Sequence, residues 1–234
     1  MGIAAAVKLT PAVFLLFFLA RKDFRASITL VVTAATSTLL GFLINAEASL
    51  DYWFGSGPAG GVSGSAFHTN QSIMGGLVRL ELPTSVEMAL WLALCAPLTV
   101  LALRTIRRVD AVLAMSVTGL LGLLVSPTSW SNHWVWVVPG VLVMLGYALS
   151  LRSCGWLSAA VVTTTIGVFG SFRLAPAEDP FSWTALHHVV GNAYLLLGMA
   201  LLVALSKRAA VGAGDSGRDD ELGPRGPTNA VPSR

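Results

Sequence analysis

Residues 85–103 read SVEMALWLALCAPLTVLAL, and this stretch decides the class of fold. Glu87 is its only charged side chain. A helix of about 20 mostly apolar residues can cross the roughly 30 Å hydrocarbon core of a bilayer. An open sheet edge would leave backbone polar groups unpaired in lipid, so a helix is the expected conformation. The stretch therefore predicts a transmembrane helix.

Further stretches share this apolar composition and predict further spans. They are residues 2–20, 27–45, 110–126, 134–150, 155–172 and 186–206. We therefore predict an all-α fold, a polytopic membrane helix bundle of about seven spans within residues 1–208. The Gly-rich and polar residues 46–83 predict a loop outside the membrane. Residues 209–234 contain few large apolar side chains and predict a disordered tail.

The overall composition excludes most soluble classes of protein. Hydrophobic residues make up 54% of the chain and charged residues 12%, with a mean hydropathy of +0.71. Soluble domains carry about 25% charged residues. This excludes a soluble globular enzyme, a disordered chain and a nucleic-acid-binding module. The two cysteines, Cys95 and Cys154, predict neither a disulfide framework nor a zinc site.

Basic residues at the ends of the apolar stretches predict the orientation in the membrane. The positive-inside rule places the more basic set of short loops in the cytoplasm. Nine basic residues lie on one side and two on the other: Arg21, Lys22, Arg25, Arg104, Arg107, Arg108, Arg152, Lys207 and Arg208, against Arg79 and Arg173. We expect a multi-pass protein of the cell membrane, with residues 46–83 outside the cell and the C-terminal tail in the cytoplasm.

Aromatic and titratable side chains collect on the predicted outer side. Tryptophan belts form at both faces of a membrane, so this asymmetry exceeds simple anchoring. We therefore expect the functional surface to be extracytoplasmic. The residues concerned are all four histidines and six of the seven tryptophans: His68, His133, His187, His188, Trp53, Trp91, Trp130, Trp134, Trp136 and Trp183.

The densest polar and aromatic segment is Ser126–Trp136, between two predicted spans. It contains Ser126, Trp130, Asn132, His133 and Trp134. Indole faces stack on sugars or lipid, while His133 and Asn132 offer hydrogen bonds or proton transfer. Two interpretations stay open: the rim of a binding pocket, or an interfacial turn with an aromatic belt.

Two further polar features accompany this segment. Lys8 lies inside an apolar stretch beside Pro11, where an ammonium is costly and indicates a functional group, often one paired with an anion. The alternative is a lysine that extends along the helix end to water. The tract Asn70-Gln71-Ser72 precedes an apolar stretch and is placed to fold onto the same pocket.

The predicted outer side also carries carboxylates, but none lies in a recognisable motif, and solvated acids are the default interpretation. They are Glu47, Asp51, Glu81, Glu87, Glu178 and Asp179. Adjacent helical residues point about 100° apart, so His187 and His188 cannot chelate one ion as an i,i+4 pair would. We expect no metal site.

Three motifs in order carry a family resemblance. Residues 5–16, which contain Lys8-Leu-Thr-Pro11, and residues 21–26 resemble the "KLTP … RRWRA" segment of actinobacterial membrane mannosyltransferases. Asn70-Gln-Ser-Ile73 and Ser126–Trp136 are similar to two further motifs of that group. The chain thus resembles glycosyltransferase family 87, whose members have the GT-C architecture of enzymes that use polyprenyl-phosphate sugars.

The resemblance implies extracytoplasmic transfer of mannose from polyprenyl-phosphate-mannose to a lipid-linked mannan acceptor in lipoglycan biosynthesis, usually as an α-1,2 linkage. The donor is a substrate, and no cofactor is implied. The family's KLTP lysine corresponds to Lys8. Of its two histidines before Trp, the first is replaced here by Asn132 and the second is His133.

Residue roles follow from this correspondence. Lys8 and His133 are expected to bind the donor phosphate. The sugar or acceptor pocket is expected to involve Asn70, Gln71, Ser72, Ser126, Trp130, Asn132 and Trp134.

The resemblance covers the C-terminal portion of such an enzyme. GT-C enzymes carry an essential acidic residue in their first external loop, upstream of the KLTP segment. We therefore expect the catalytic acid on a segment preceding Met1, and no catalytic residue is assigned here. Two alternatives stay open: a catalytically incomplete remnant or partner subunit that keeps the donor site, and a small transporter. A transporter would show an inverted repeat, which this sequence does not display.

Overall fold

The computed structural model describes residues 1–55 and 64–221, with side chains up to Lys207. Within these residues the chain is helical, and its one strand-like feature is an isolated β-bridge. The α-helices are α1 Gly2–Val7, α2 Phe14–Ala20, α3 Phe24–Ile44, α4 Ala46–Phe54, α5 Ile73–Val78, α6 Thr84–Ile106, α7 Ala111–Val125, α8 Val137–Ser150, α9 Cys154–Phe169, α10 Ala185–Gly191 and α11 Ala193–Glu221. Short 3-10 helices cover Thr10–Val13, Ser131–Trp136 and Ser171–Leu174.

The described helices form the predicted membrane bundle. Three are long and apolar enough to cross a bilayer: α3, α6 and the continuous segment Ser131–Ser150. The pair α10 and α11 gives a fourth if its two parts, bent by 65°, are one span. Three shorter apolar helices, Thr10–Ala20, α7 and α9, occupy the remaining predicted positions. The all-α membrane fold is confirmed. Helices long enough to cross the bilayer occur at three to four of the seven predicted positions.

The first predicted span, residues 2–20, differs in the structure: it is a helical hairpin. Helix α1 ends at Val7, and Lys8 has extended backbone (φ −153°, ψ 126°). Met1, Ile3 and Phe18 line one cleft, so the chain reverses direction between α1 and α2. Proline lacks an N–H and constrains its neighbours, so Pro11 favours this break. The hairpin places Lys8 at its tip.

Helix α7 lies at the centre of the bundle and positions this hairpin. It packs against α2, α6, α8 and α11. Glycines on α7 allow close approach: a Cβ on Gly122 would lie 2.9 Å from Val13 Cγ1, and one on Gly119 would lie 3.1 Å from the Trp136 ring. Small residues commonly permit such packing in membranes. Five α7 side chains are completely buried: Ala114, Val117, Thr118, Leu121 and Leu124.

The predicted loop and tail are partly described. The loop 46–83 contains α4 and α5, while residues 56–63 lie outside the described residues. Helix α11 continues to Glu221, so its backbone includes the first part of the predicted tail, residues 209–221. Residues 222–234 lie outside the described residues, and disorder there stays a prediction.

Candidate functional site

The hairpin tip brings Lys8 to the Ser126–Trp136 segment. Its Nζ lies 3.0 Å from Nε2 of His133, which belongs to the 3-10 helix Ser131–Trp136. The other ring nitrogen, Nδ1, accepts a hydrogen bond of 3.1 Å from the backbone N–H of Trp130. The His133 ring is therefore held from both sides, by its own turn and by the hairpin.

The Trp130 hydrogen bond determines which nitrogen of His133 carries the proton. An imidazole nitrogen that accepts a hydrogen bond is unprotonated, so neutral His133 carries its hydrogen on Nε2. That N–H points at Lys8, whose ammonium form has only donors. When Lys8 is protonated, two donors therefore meet at this contact. The arrangement suits an anion whose oxygens accept from both.

A second group of predicted residues fixes the chain just before His133. Asn70 is completely buried and forms an isolated β-bridge with Trp130. Its Oδ1 accepts from the N–H groups of Ser129 (2.9 Å) and Ser72 (3.3 Å). Its Nδ2 donates to the carbonyls of Ser65 (2.8 Å) and Pro127 (3.3 Å). One amide thus joins the loop before α5 to the turn after α7.

Gln71 and Ser72 extend this connection. Both are completely buried. The Gln71 N–H donates to the Ser129 carbonyl (2.8 Å), and its Nε2 donates to the Gly191 carbonyl (2.6 Å). The Ser72 hydroxyl donates to the Pro127 carbonyl (3.1 Å). All three bonds have backbone carbonyls of this chain as acceptors, and they position the turn that holds His133. A role for Gln71 and Ser72 in a sugar pocket stays a prediction.

Arg79 is a buried cation whose position in the sequence predicted only the orientation of the chain in the membrane. It is 1% exposed, and its guanidinium donates to the carbonyls of Ala66 (3.1 Å), Phe67 (3.0 Å) and Asn70 (3.0 Å). It also donates to Oδ1 of Asn192. Burial lowers the pKa of Arg79 to about 10, which leaves it charged at neutral pH.

These contacts make Arg79 and Asn192 supports of the loop that carries Asn70. Asn192 lies at the bend between α10 and α11. The sequence could have indicated it, because a polar amide inside an apolar stretch is costly unless it has a partner. Arg79 gave no comparable signal. Its burial depends on how residues 64–72 fold over it.

Two further predicted residues lie at an apolar cleft of about 460 Å³ between α8, α9 and α11. Asn132 and Trp134 line it, together with Tyr194 and Val138. The Trp134 ring packs 5.4 Å from that of Tyr194 and is buried. The cleft therefore begins within one residue of His133 and is walled mainly by aliphatic side chains.

Ser126 and Trp130 take part in the turn itself. The Ser126 hydroxyl donates to the Thr128 carbonyl (3.0 Å), and the Trp130 ring lies 6.2 Å from Phe67. Both thus have contacts within the chain. The described residues contain no group of three His, Cys, Asp or Glu side chains that could hold a metal ion.

The structure joins the three predicted motifs in pairs. Lys8 meets His133, and Asn70 to Ser72 bind residues 127–130. Asn132 and Trp134 line the apolar cleft, whose lining includes neither Lys8 nor Asn70. The site is thus a donor pair beside an apolar cleft, supported by a buried polar network.

Comparison with known proteins identifies the family of the chain. The sequence profile of glycosyltransferase family 87 matches residues 1–127, more than half of the chain. A polyprenol-phosphate-mannose-dependent alpha-(1-2)-phosphatidylinositol mannoside mannosyltransferase of Mycobacterium tuberculosis is 41% identical over 87% of this chain and 49% of its own length. The protein with the same description in Mycolicibacterium smegmatis is 33% identical over 94% of this chain and 53% of its own length.

The chain thus spans about half the length of the curated relatives it matches. No solved structure matches it. The profile match and the 41% identity confirm the resemblance drawn from the KLTP, Asn70-Gln-Ser and Ser126–Trp136 motifs. The chain belongs to glycosyltransferase family 87.

Proposed function

We propose that this chain binds a polyprenyl-phosphate-mannose donor and takes part in transferring its mannose to a phosphatidylinositol-mannoside or larger lipid-linked mannan acceptor. The observation that carries the proposal is the Lys8–His133 pair, in which two hydrogen-bond donors meet when Lys8 is protonated. A phosphate supplies acceptor oxygens for both and compensates the lysine charge. The names of the mycobacterial relatives specify such a phosphate-linked donor.

The transfer is a displacement at the anomeric carbon of mannose. The acceptor hydroxyl oxygen forms the new bond to that carbon, the bond from carbon to phosphate oxygen breaks, and polyprenyl phosphate leaves with the electron pair. Negative charge therefore grows on the phosphate. Donors already aimed at that position stabilise the transition state electrostatically, and removing one such donor typically costs 100- to 1000-fold in rate.

The proton of the acceptor hydroxyl must pass to a base. We assign that role to no residue of this chain. In this scheme Lys8 and His133 act only on the phosphate. Asn70, Gln71, Ser72, Arg79 and Asn192 act as positioning residues through the turn at residues 126–130.

The apolar cleft supplies a place for the lipid part of the donor. It starts at Ser131 and Asn132 and continues along Val138 and Leu142 of α8. An isoprenoid chain is apolar, so burying it there removes hydrocarbon from contact with water near the headgroups. We place this site on the extracytoplasmic face, with the C-terminal tail in the cytoplasm, because the basic loops lie at the opposite ends of the helices.

Donor binding by the full chain in nanodiscs tests the proposal. Short-chain polyprenyl-phosphate-mannose is titrated against the matched polyprenol that lacks phosphate and sugar. We expect saturable binding of the first and at least tenfold weaker binding of the second, because a charge-assisted contact contributes about 1.5–3 kcal/mol. Equal affinity for both would refute a phosphate site at Lys8 and His133.

A transfer assay separates the enzyme from the binding-only alternative. The same nanodiscs receive donor with radiolabelled mannose and a phosphatidylinositol-mannoside acceptor. Label in a larger glycolipid indicates an enzyme that is active on its own. Donor binding without transfer indicates the partner-subunit or remnant alternative that the sequence left open.

A further inference from the structure

A second site candidate lies at the end of the bundle opposite Lys8 and His133. The turn after α2 and the connection from α6 to α7 enclose a cleft of about 630 Å³. Helix α7 begins beside this cleft at Ala111 and ends at Val125 beside the Ser126–Trp136 segment. Fifteen helical residues rise about 22 Å. The two sites therefore lie near opposite boundaries of the membrane.

The lining of this cleft is strongly basic. It includes Arg21, Lys22, Arg107 and Arg108, all exposed, and no acidic side chain. The nearby carboxylates already have partners. Asp23 caps the start of α3, and Asp110 caps α7 and accepts a hydrogen bond from the Tyr147 hydroxyl. Four positive charges therefore converge on one concavity.

The cleft is also organised by its backbone. Nη1 of Arg21 donates to the carbonyls of Ile106 (3.0 Å) and Val109 (2.9 Å), which joins the α2 turn to the end of α6. Lys22 has a left-handed backbone (φ 60°), a conformation that usually favours glycine or asparagine. Charges that serve only to set topology would not need such convergence.

We propose that this basic cleft binds the phosphate of an anionic phospholipid headgroup. Its position at the ends of apolar helices puts it at headgroup depth, and Leu19 and Val109 give it an apolar wall for the glycerol and first acyl carbons. Basic pockets between helices on the cytoplasmic side of membrane proteins recognise lipid headgroups in this way. A bound lipid would brace the hairpin that carries Lys8, because the same turn ends α2.

Titration of the full chain in mixed micelles with phosphatidylglycerol tests this proposal, with phosphatidylcholine as the neutral reference. The test variant is R107Q/R108Q, which removes two lining charges. The matched control is R104Q/R152Q, which removes two exposed charges of the same predicted face that do not line the cleft. Each juxtamembrane cation contributes about fivefold to affinity for anionic lipid, so the test variant should bind about 30-fold more weakly.

The control variant should weaken binding far less than the test variant, because its two charges do not line the cleft. R107K/R108K retains the charge and should retain most of the affinity, which assigns the loss in the test variant to the removed charges. Equal weakening of R107Q/R108Q and R104Q/R152Q would overturn the proposal in favour of a general basic surface. Unchanged binding by R107Q/R108Q would also overturn it. Displacement of the lipid by millimolar inorganic phosphate would identify a free anion as the ligand instead.

Discussion

Nζ of Lys8 lies 3.0 Å from Nε2 of His133, although 125 residues separate them in the chain. The contact depends on a break in each of two apolar stretches: the extended residue after α1 and the 3-10 turn before α8. Straight helices would bury both side chains along their lengths. The two breaks bring an amine and an imidazole to a common point.

Removing either donor should weaken binding of the lipid-phosphate donor. We expect K8M and H133A each to raise the dissociation constant about 10- to 100-fold, because each loses a charge-assisted bond to phosphate. K207M and H187A serve as matched controls, since Lys207 is exposed, His187 is half-buried, and both lie outside the Lys8–His133 pair. Donor titration in nanodiscs measures the effect. Wild-type affinity in both test variants would place the phosphate elsewhere.

Asn70 should matter for stability far more than Asn132. The variant N70A leaves the buried N–H of Ser129 and the half-buried carbonyl of Ser65 without their partner, so we expect a loss of about 2–4 kcal/mol. Asn132 is exposed, and N132A should change stability by less than about 0.5 kcal/mol. Thermal unfolding in detergent compares the two. Similar melting temperatures would mean that the amide network is not stabilising.

Arg79 should require its guanidinium rather than its charge alone. The variant R79K keeps the charge but cannot reach the carbonyls of Ala66, Phe67 and Asn70 together with Asn192, so we expect a loss of about 2 kcal/mol or more. R173K is the control, because Arg173 is exposed.

A second measurement separates positioning from stability alone. At a temperature where R79K remains folded, its donor affinity should still be reduced, since the Asn70 loop holds the turn of His133. Wild-type donor affinity in folded R79K would limit Arg79 to a structural role.

His68 should make stability depend on pH. Burial, followed by the charge of Arg79, lowers the pKa of His68 below its ordinary value of about 6.5. The unfolded chain then takes up a proton at a higher pH than the folded chain does. Stability should therefore be complete above pH 6.5 and fall as the pH drops toward the lowered pKa.

Melting temperatures between pH 7.5 and 5 measure this effect. The variant H68Q should lose less stability over that range than wild type, because glutamine does not titrate. An identical decline in both proteins would assign the pH dependence to other groups.

Labelling of cysteines should report the orientation. Ser72 and Ser129 are completely buried and unsuitable for labelling, whereas Asn132 and the native Cys154 are exposed. In intact cells, N132C in a C154S background should react with a membrane-impermeant maleimide. Cys154 of the wild type should react only after permeabilisation. The reverse pattern would invert the proposed orientation.

Features that depend on local composition could be predicted from the sequence. A helix that crosses the hydrocarbon core needs about 20 mostly apolar residues. Because such stretches can be recognised in the sequence, α3, α6 and α11 appear near their predicted positions. The KLTP, Asn70-Gln-Ser and Ser126–Trp136 motifs likewise identified the family, because they are contiguous residues.

Other features depend on which surfaces meet. Residues 2–20 have the composition of a span, yet contacts with α3 and α7 fold them into a hairpin. Arg79 resembles a loop cation in sequence and becomes completely buried only where residues 64–72 cover it.

Chain length, hydropathy and contiguous motifs are local properties, and they suffice to identify a helical membrane protein of glycosyltransferase family 87. The contact of Lys8 with His133, the burial of Asn70, Gln71 and Ser72, and their support by Arg79 become visible in the folded chain alone. These outcomes depend on contacts between residues distant in sequence. Hydrophobic periodicity carries no information about which distant surfaces pack together.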